Sequence, residues 1–232
     1  FFFHPDPATP DPLWSRGLGD VYKRQDIICL LTIAFSLATV FCTAKIYASL
    51  KTIRQWNHLL VVPVYLIIGL FDGAIFLMVL LTIIDGLQFF QLNYFIIFLG
   101  ALAGLAKILY WWSIDSTQSQ SNRSTATGLG SSNKSVSMLD APTTSETFIM
   151  REMGFAIARK HSRRLRLITI LTLSIIPIII IFLMTQPIAL VSPMVLGIIA
   201  ILFSYFGTII ERWLFFAEAK HVAMLYYGAS KV

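Results

Sequence analysis

Five apolar runs constrain this chain more than anything else in it. They are Ile27–Ala44, Leu59–Ile84, Leu92–Trp112, Leu167–Met184 and Ile188–Ile210. A bilayer core of roughly 30 Å takes about 20 residues of helix to cross. Backbone in lipid must also satisfy its own hydrogen bonds, so each run reads as a helix. The second run is longer than the core needs and is expected to tilt or to extend past it. Pro177 lies inside the fourth run and should kink that helix rather than end it. The expected fold is all-α, a polytopic transmembrane helix bundle. Composition agrees: 56% of the 232 residues are hydrophobic and 13% are charged, and mean hydropathy is +0.74. A soluble domain carries about 25% charged residues, so a soluble enzyme and a disordered chain are both excluded.

The basic residues sort by side. The connection 45–58 holds Lys45, Lys51 and Arg54, the connection 113–166 holds eight Lys or Arg, and the tail after 210 holds Arg212, Lys220 and Lys231. The intervening connections 85–91 and 185–187 hold none. A missed or false span would scramble this alternation. By the positive-inside rule the basic face, with the C-terminus, is cytoplasmic, and the net charge of +6 belongs to loops facing anionic lipid rather than to nucleic-acid binding.

The chain divides further. Residues 1–25 are proline-rich and aperiodic, without the basic and apolar regions of a signal peptide. SRGLGDVYKRQ within them resembles a translated adapter sequence, so this stretch reads as a non-native scar and is set aside. Residues 26–112 hold three spans. Residues 113–147, rich in Ser, Thr, Gly and Asn, read as a flexible loop, with a capping-box spacing at Thr143 and Glu146. Residues 148–166 read as a basic amphipathic surface helix. Residues 167–232 hold two spans and an interfacial C-terminal helix. Tyr110, Trp111 and Trp112, then Trp213, Phe215 and Phe216, mark membrane interfaces.

Ionisable residues inside a span are costly and point to function or to a partner. Asp72 lies at the middle of the second run and Lys107 in the third. The two runs are joined by a short connection, so Lys107 either reaches Asp72 as a structural pair or snorkels to the basic face. Asp72 is a candidate proton acceptor or a buried structural group. His58 stands at the start of the second run, where a ring that titrates near neutrality could take a quinol proton or simply hydrogen-bond at the interface. Glu211 and Arg212, near the bilayer boundary, are positioned to bridge to neighbouring loops. His4, His58, His161 and His221 all lie outside the apolar runs, and a b-type haem needs axial ligands inside them, so no haem is expected. Cys29 and Cys42, about 20 Å apart along one helix, are beyond disulfide reach, and no metal-ligand spacing occurs.

Four runs together resemble one family. KIYASLKTIRQWNH, KILYWWSID, REMGFAIARKHSRRLR and ERWLFFAEAKHVAMLYYG are similar to the membrane anchor subunit of dimethyl sulfoxide reductase over roughly 45–228. The resemblance implies a bundle of eight spans, so five are present and three would precede them. It implies a bacterial inner-membrane subunit in anaerobic respiration that is not itself the reductase. It binds an iron–sulfur subunit and a molybdopterin catalytic subunit, oxidises menaquinol and passes the electrons to the iron–sulfur partner. Met153, Gly154, Phe155, Arg159, Lys160, His161, Glu211, Arg212 and Glu218 fall in the matching motifs as docking or structural residues. The family's catalytic partners are generally exported, whereas these motifs lie on the basic face; either they are structural or the charge rule misreads the topology. The alternative is a secondary transporter or regulatory membrane protein coupled through Asp72 and Lys107, but no internal repeat of the kind transporters show is present.

Overall fold

A computed structural model describes residues 13–85, 90–117, 122–128, 136, 139–140, 145, 159–186 and 191–227, with the side chains of the first helix described from residue 25. Helix α1 spans Leu13–Ala48, α2 Val61–Asp85, α3 Phe90–Ser116 and α4 Arg123–Thr127. A fourth membrane helix follows in two parts, α5 Ser162–Ile170 and α6 Ile176–Met184, joined by a π turn over Leu171–Ile175. Then come α7, Pro193–Ala217, and a 3₁₀ turn, Val222–Tyr227. Five segments are long and apolar enough to cross a membrane: Gln25–Ala48, Val61–Ile84, Gln91–Ser116, Ser162–Met184 and Pro193–Ala217. The expected multi-pass helical bundle is therefore the observed one.

The edges of the elements differ from expectation in instructive ways. Helix α1 runs back to Leu13, into the stretch set aside as a scar. The fifth helix ends seven residues later than its apolar run, because Glu211 and Arg212 are absorbed into it rather than left at a boundary. The fourth span starts at Ser162, so Arg163, Arg164 and Arg166 occupy its first turns. Most of the expected surface helix, 148–158, lies outside the described residues, as do Thr143 and Glu146 with their capping-box spacing. Within the Ser/Thr-rich connection, α4 is capped by the Asn122 side chain, which accepts from the Thr125 amide, and closed by Gly128 at φ +67°.

Pro177 does not end the fourth span. Its missing N–H and its ring disrupt the ladder one turn back, and the π turn absorbs the disruption: the Ile176 amide donates to the Leu171 carbonyl, and Pro177 sits in the first turn of α6, where it needs no donor. This turn is also where backbones come closest. A Cβ on Gly207 of α7 would lie 2.4 Å from the Leu173 amide nitrogen, and Ser174 Oγ donates to the Gly100 carbonyl of α3 at 2.8 Å. Small residues at helix contacts are how membrane helices pack when lipid supplies no hydrophobic drive.

Helices α2, α3, α5–α6 and α7 form the bundle, and α1 lies against α2 at its edge. Only 6% of the apolar window of α1 is buried, against 22–39% for the others. Two apolar clusters stack along the bundle. One, around Phe71, Ile75, Met78, Ile96, Leu99, Ile181 and Ala200, lies away from the basic face. The other, around Trp56, Val64, Tyr110, Trp111, Leu173, Leu214 and Phe215, lies toward it. The interfacial aromatics thus split: Trp112 and Trp213 face outward, whereas Tyr110, Trp111 and Phe215 are core.

Candidate functional site

Polar groups enter the bundle along one face of α7. Ala200, Ser204, Gly207, Glu211 and Leu214 recur every three or four residues and are all buried, a spacing that keeps them on one side of a helix. This face meets α2 on one flank and the π turn on the other.

Asp72 of α2 reaches this stripe at Ser204 and Thr208. Both hydroxyls bond its carboxyl group, Ser204 to one oxygen and Thr208 Oγ1 to the other at 2.8 Å. Asp72 is buried and makes no ion pair among the described residues. Lys107 does not reach it, and it does not snorkel either. Its side chain is 1% exposed and its ammonium pairs with Glu211 from α7, while lying 4.3 Å from the Tyr110 ring centre and 4.9 Å from that of Trp111. Glu211 is likewise not a boundary residue bridging to loops: it is fully buried and holds Arg212 with its second oxygen. The Arg212 guanidinium lies 3.6 Å from the centre of Tyr65. One carboxylate therefore faces two cations, and the excess charge is spread over aromatic faces.

The ends of α3 and α7 at the basic face are fastened by arginines. Arg54 donates to the carbonyls of Thr117 and, at 2.8 Å, Ile114. Arg159 donates to those of Ala217 and Ala219 at 3.2 and 2.9 Å. These are unsatisfied carbonyls at helix C-termini, where a cation also complements the helix dipole. Arg166 ties the two ends together, bonding Glu218 at 2.8 Å and Asp115 at 2.5 Å. These groups rim a cleft of about 440 Å³ that also takes in Lys220. Of the motif residues, then, Arg159 and Glu218 hold helix ends. Lys160 and His161 are exposed just ahead of α5, and Met153, Gly154 and Phe155 lie outside the described residues.

His58 is placed where the chain turns from α1 into α2. Its Nε2 meets Ser113 Oγ at 2.9 Å and its Nδ1 accepts the Leu60 amide at 3.2 Å. That acceptor role requires an unprotonated Nδ1, so Nε2 carries the hydrogen and donates to Ser113. Burial, and then the nearby Arg54, hold the ring below its ordinary value of 6.5. To take a proton, His58 must release the Leu60 amide. Beside it opens an amphipathic cleft of about 400 Å³, lined by Phe41, Lys45, Ala48, Asn57, His58, Leu59 and Val62.

Sequence reasoning missed Ser204 and Thr208, although their spacing of four, with Glu211 three further on, was a readable polar stripe. It also missed the capping role of Arg54 and the tie that Arg166 makes between Asp115 and Glu218. Cys29 and Cys42 are free.

Comparison with known proteins adds one relative. The chain is 32% identical over 223 residues to a sulfite dehydrogenase subunit of Allochromatium vinosum. The match takes in 93% of this chain and 65% of that protein, so the chain spans just under two thirds of the relative's length. No family model matches. No solved structure matches.

Proposed function

We propose that this chain is the membrane subunit of a multisubunit respiratory oxidoreductase, the part that exchanges electrons between partner subunits and a lipid-soluble quinone. The observation that carries the reading is the 32% identity, over nearly the whole chain, to a subunit of a sulfite dehydrogenase. The resemblance of four separate motifs to the dimethyl sulfoxide reductase anchor points to the same role. The two differ in direction. A dehydrogenase delivers electrons to quinone, which takes up two protons as it is reduced. A reductase draws two electrons from menaquinol, which gives up two protons. As the anchor resemblance implies, the chemistry on the sulfur compound belongs to a molybdopterin partner and the wiring to an iron–sulfur partner. The membrane subunit holds the quinone, shields it from water and handles protons, with no haem of its own.

The cleft beside His58 suits the head group of such a carrier. Phe41 and Leu59 offer apolar surface for a ring, Lys45 and Asn57 offer polar groups to its oxygens, and the cleft opens where α1 meets α2. A subunit of this kind sits in the bacterial inner membrane with its basic face and C-terminus in the cytoplasm.

The test is deletion of this subunit from the native complex. Quinone-coupled turnover should be lost and the partners released from the membrane, while the catalytic subunit still reacts with an artificial dye. Quinone-coupled turnover that survives the deletion overturns the reading. Supplying sulfite with a quinone, or menaquinol with dimethyl sulfoxide, decides the direction. Lys45→Ala with Asn57→Ala should raise the KM for quinone more than it lowers kcat.

A further inference from the structure

The two buried acids among the described residues are treated in opposite ways. Glu211 is locked between Lys107 and Arg212, an arrangement that serves only the carboxylate. Asp72 faces no cation in contact; its two oxygens meet the hydroxyls of Ser204 and Thr208. A hydroxyl can donate to a carboxylate and, after rotating, accept from a carboxylic acid. The Asp72 site therefore satisfies both protonation states with the same partners and little movement, a property that a structural ion pair lacks. A carboxyl buried at the middle of a span is too costly to place without a role or a partner.

The hydroxyls that hold Asp72 lie on the side of α7 that leads toward the basic face. Ser204, Thr208 and Glu211 follow at intervals of four and three residues, which spans about 10 Å of helix rise. Beyond Glu211 stand Arg212 and the capped helix end at Glu218, which borders the basic-face cleft. We infer that Asp72 is a proton-holding site at the centre of the bundle, which exchanges its proton with water at the basic face by way of the Thr208 hydroxyl, past a Glu211 that stays ionised. On binding, the proton joins one Asp72 oxygen, and that carboxyl donates to a hydroxyl oxygen; on release, the hydroxyl turns back to donate and the proton leaves toward the basic end. The charges that bear on Asp72 come from Glu211 and Arg212 of α7, with Lys107 of α3 acting through its pair with Glu211. Along the apolar run of α1, Cys29 and Cys42 are the titratable side chains, and both are exposed. The inference goes beyond the quinone reading and does not need it.

The full chain reconstituted in lipid nanodiscs, followed by infrared difference spectroscopy between about pH 5 and pH 9, tests it. The expected result is the C=O stretch of a protonated carboxyl that appears on acidification, moves to lower frequency in D₂O and vanishes in Asp72→Asn. Ser204→Ala and Thr208→Val keep the carboxyl and remove one partner each. They should shift the band, and Thr208→Val should slow its exchange in D₂O, so the test survives a poorly folding Asp72→Asn. Three results overturn the inference: no Asp72-dependent band titrates, the band does not respond to D₂O, or it responds to Na⁺ at constant pH. Neither quinone nor partner is present, so failure here leaves the proposed function standing, and failure of the deletion test leaves this site standing.

Discussion

Glu211 is the residue on which most buried charge depends. Removing one member of a buried pair leaves the other charged and unpaired, at a cost of about 3–5 kcal/mol. Glu211→Gln strands both Lys107 and Arg212, whereas Lys107→Met leaves Glu211 its bond to Arg212. Glu211→Gln should therefore fall in that range and exceed Lys107→Met, with the double variant milder than the sum of the two. Unfolding in mixed micelles, followed by tryptophan fluorescence, gives all three values. His58 makes a second prediction at this scale. The folded chain holds the ring neutral, since Nδ1 accepts the Leu60 amide, while the unfolded chain titrates at its ordinary 6.5. The unfolded state thus binds more protons just below that value, and linkage makes stability fall with it. The stabilising contribution is complete above 6.5 and is lost as pH drops toward the lower folded value; His58→Gln should flatten this part of the stability–pH curve. That Lys107 and Asp72 are buried and polar was legible in the sequence. Their partners were not, because Glu211 and Thr208 lie more than 100 residues away and spacing reveals neighbours only along one helix.

At the scale of elements, the contact of α7 with the π turn sets the geometry of everything polar around it. A Cβ on Gly207 meets backbone at Leu173, 2.4 Å from the nitrogen and 2.6 Å from Cα, and backbone cannot rotate away. A Cβ on Gly104 meets the Ser174 hydroxyl oxygen at 2.7 Å, the end of a side chain that can turn. Gly73 has nothing within 4 Å. Gly207→Ala should cost about 1–3 kcal/mol, as overpacking does, and Gly104→Ala less. Gly73→Ala should be neutral or stabilising by up to about 1 kcal/mol, the helix preference of Ala over Gly. Thermal unfolding of the three variants in one detergent gives the order. The spans themselves were readable to within a few residues, since bilayer thickness sets the length and hydropathy marks the place. Their ends were not: the arginines at 163, 164 and 166 and the pair at 211–212 look like boundary residues, yet helix continues through them because Asp115, Glu218 and Lys107 supply partners to Arg166 and Glu211 from other parts of the fold. The π turn likewise needed the packing against Gly207 to be visible, where Pro177 alone announced only a disturbance.

For the molecule as a whole, the distribution of charge makes the strongest demand. Fourteen Lys and Arg lie in the connections on one side and none on the other, and the described structure shows why several of them must stay together. Arg54 and Arg159 cap the ends of α3 and α7 at one end of the bundle, Arg166 ties those ends through Asp115 and Glu218, and an isolated β-bridge joins Ile53 to His221 beside them. The connection between α1 and α2 and the segment after α7 are therefore on the same face by direct contact, independent of any charge rule. That contact requires an even number of crossings between them, which α2, α3, α5–α6 and α7 supply. The turn at 185–186, one crossing before the end, then lies on the opposite face. The positive-inside rule assigns the contacting face to the cytoplasm. In a Cys29→Ala, Cys42→Ala background, Thr185→Cys should react with a membrane-impermeant maleimide added to intact spheroplasts, and Ser49→Cys and Lys220→Cys only after permeabilisation. Labelling of all three from one side would contradict the five-span fold. Labelling of Ser49→Cys and Lys220→Cys from outside, with Thr185→Cys protected, would keep the fold and invert the molecule, putting the arginine-capped face on the exported side.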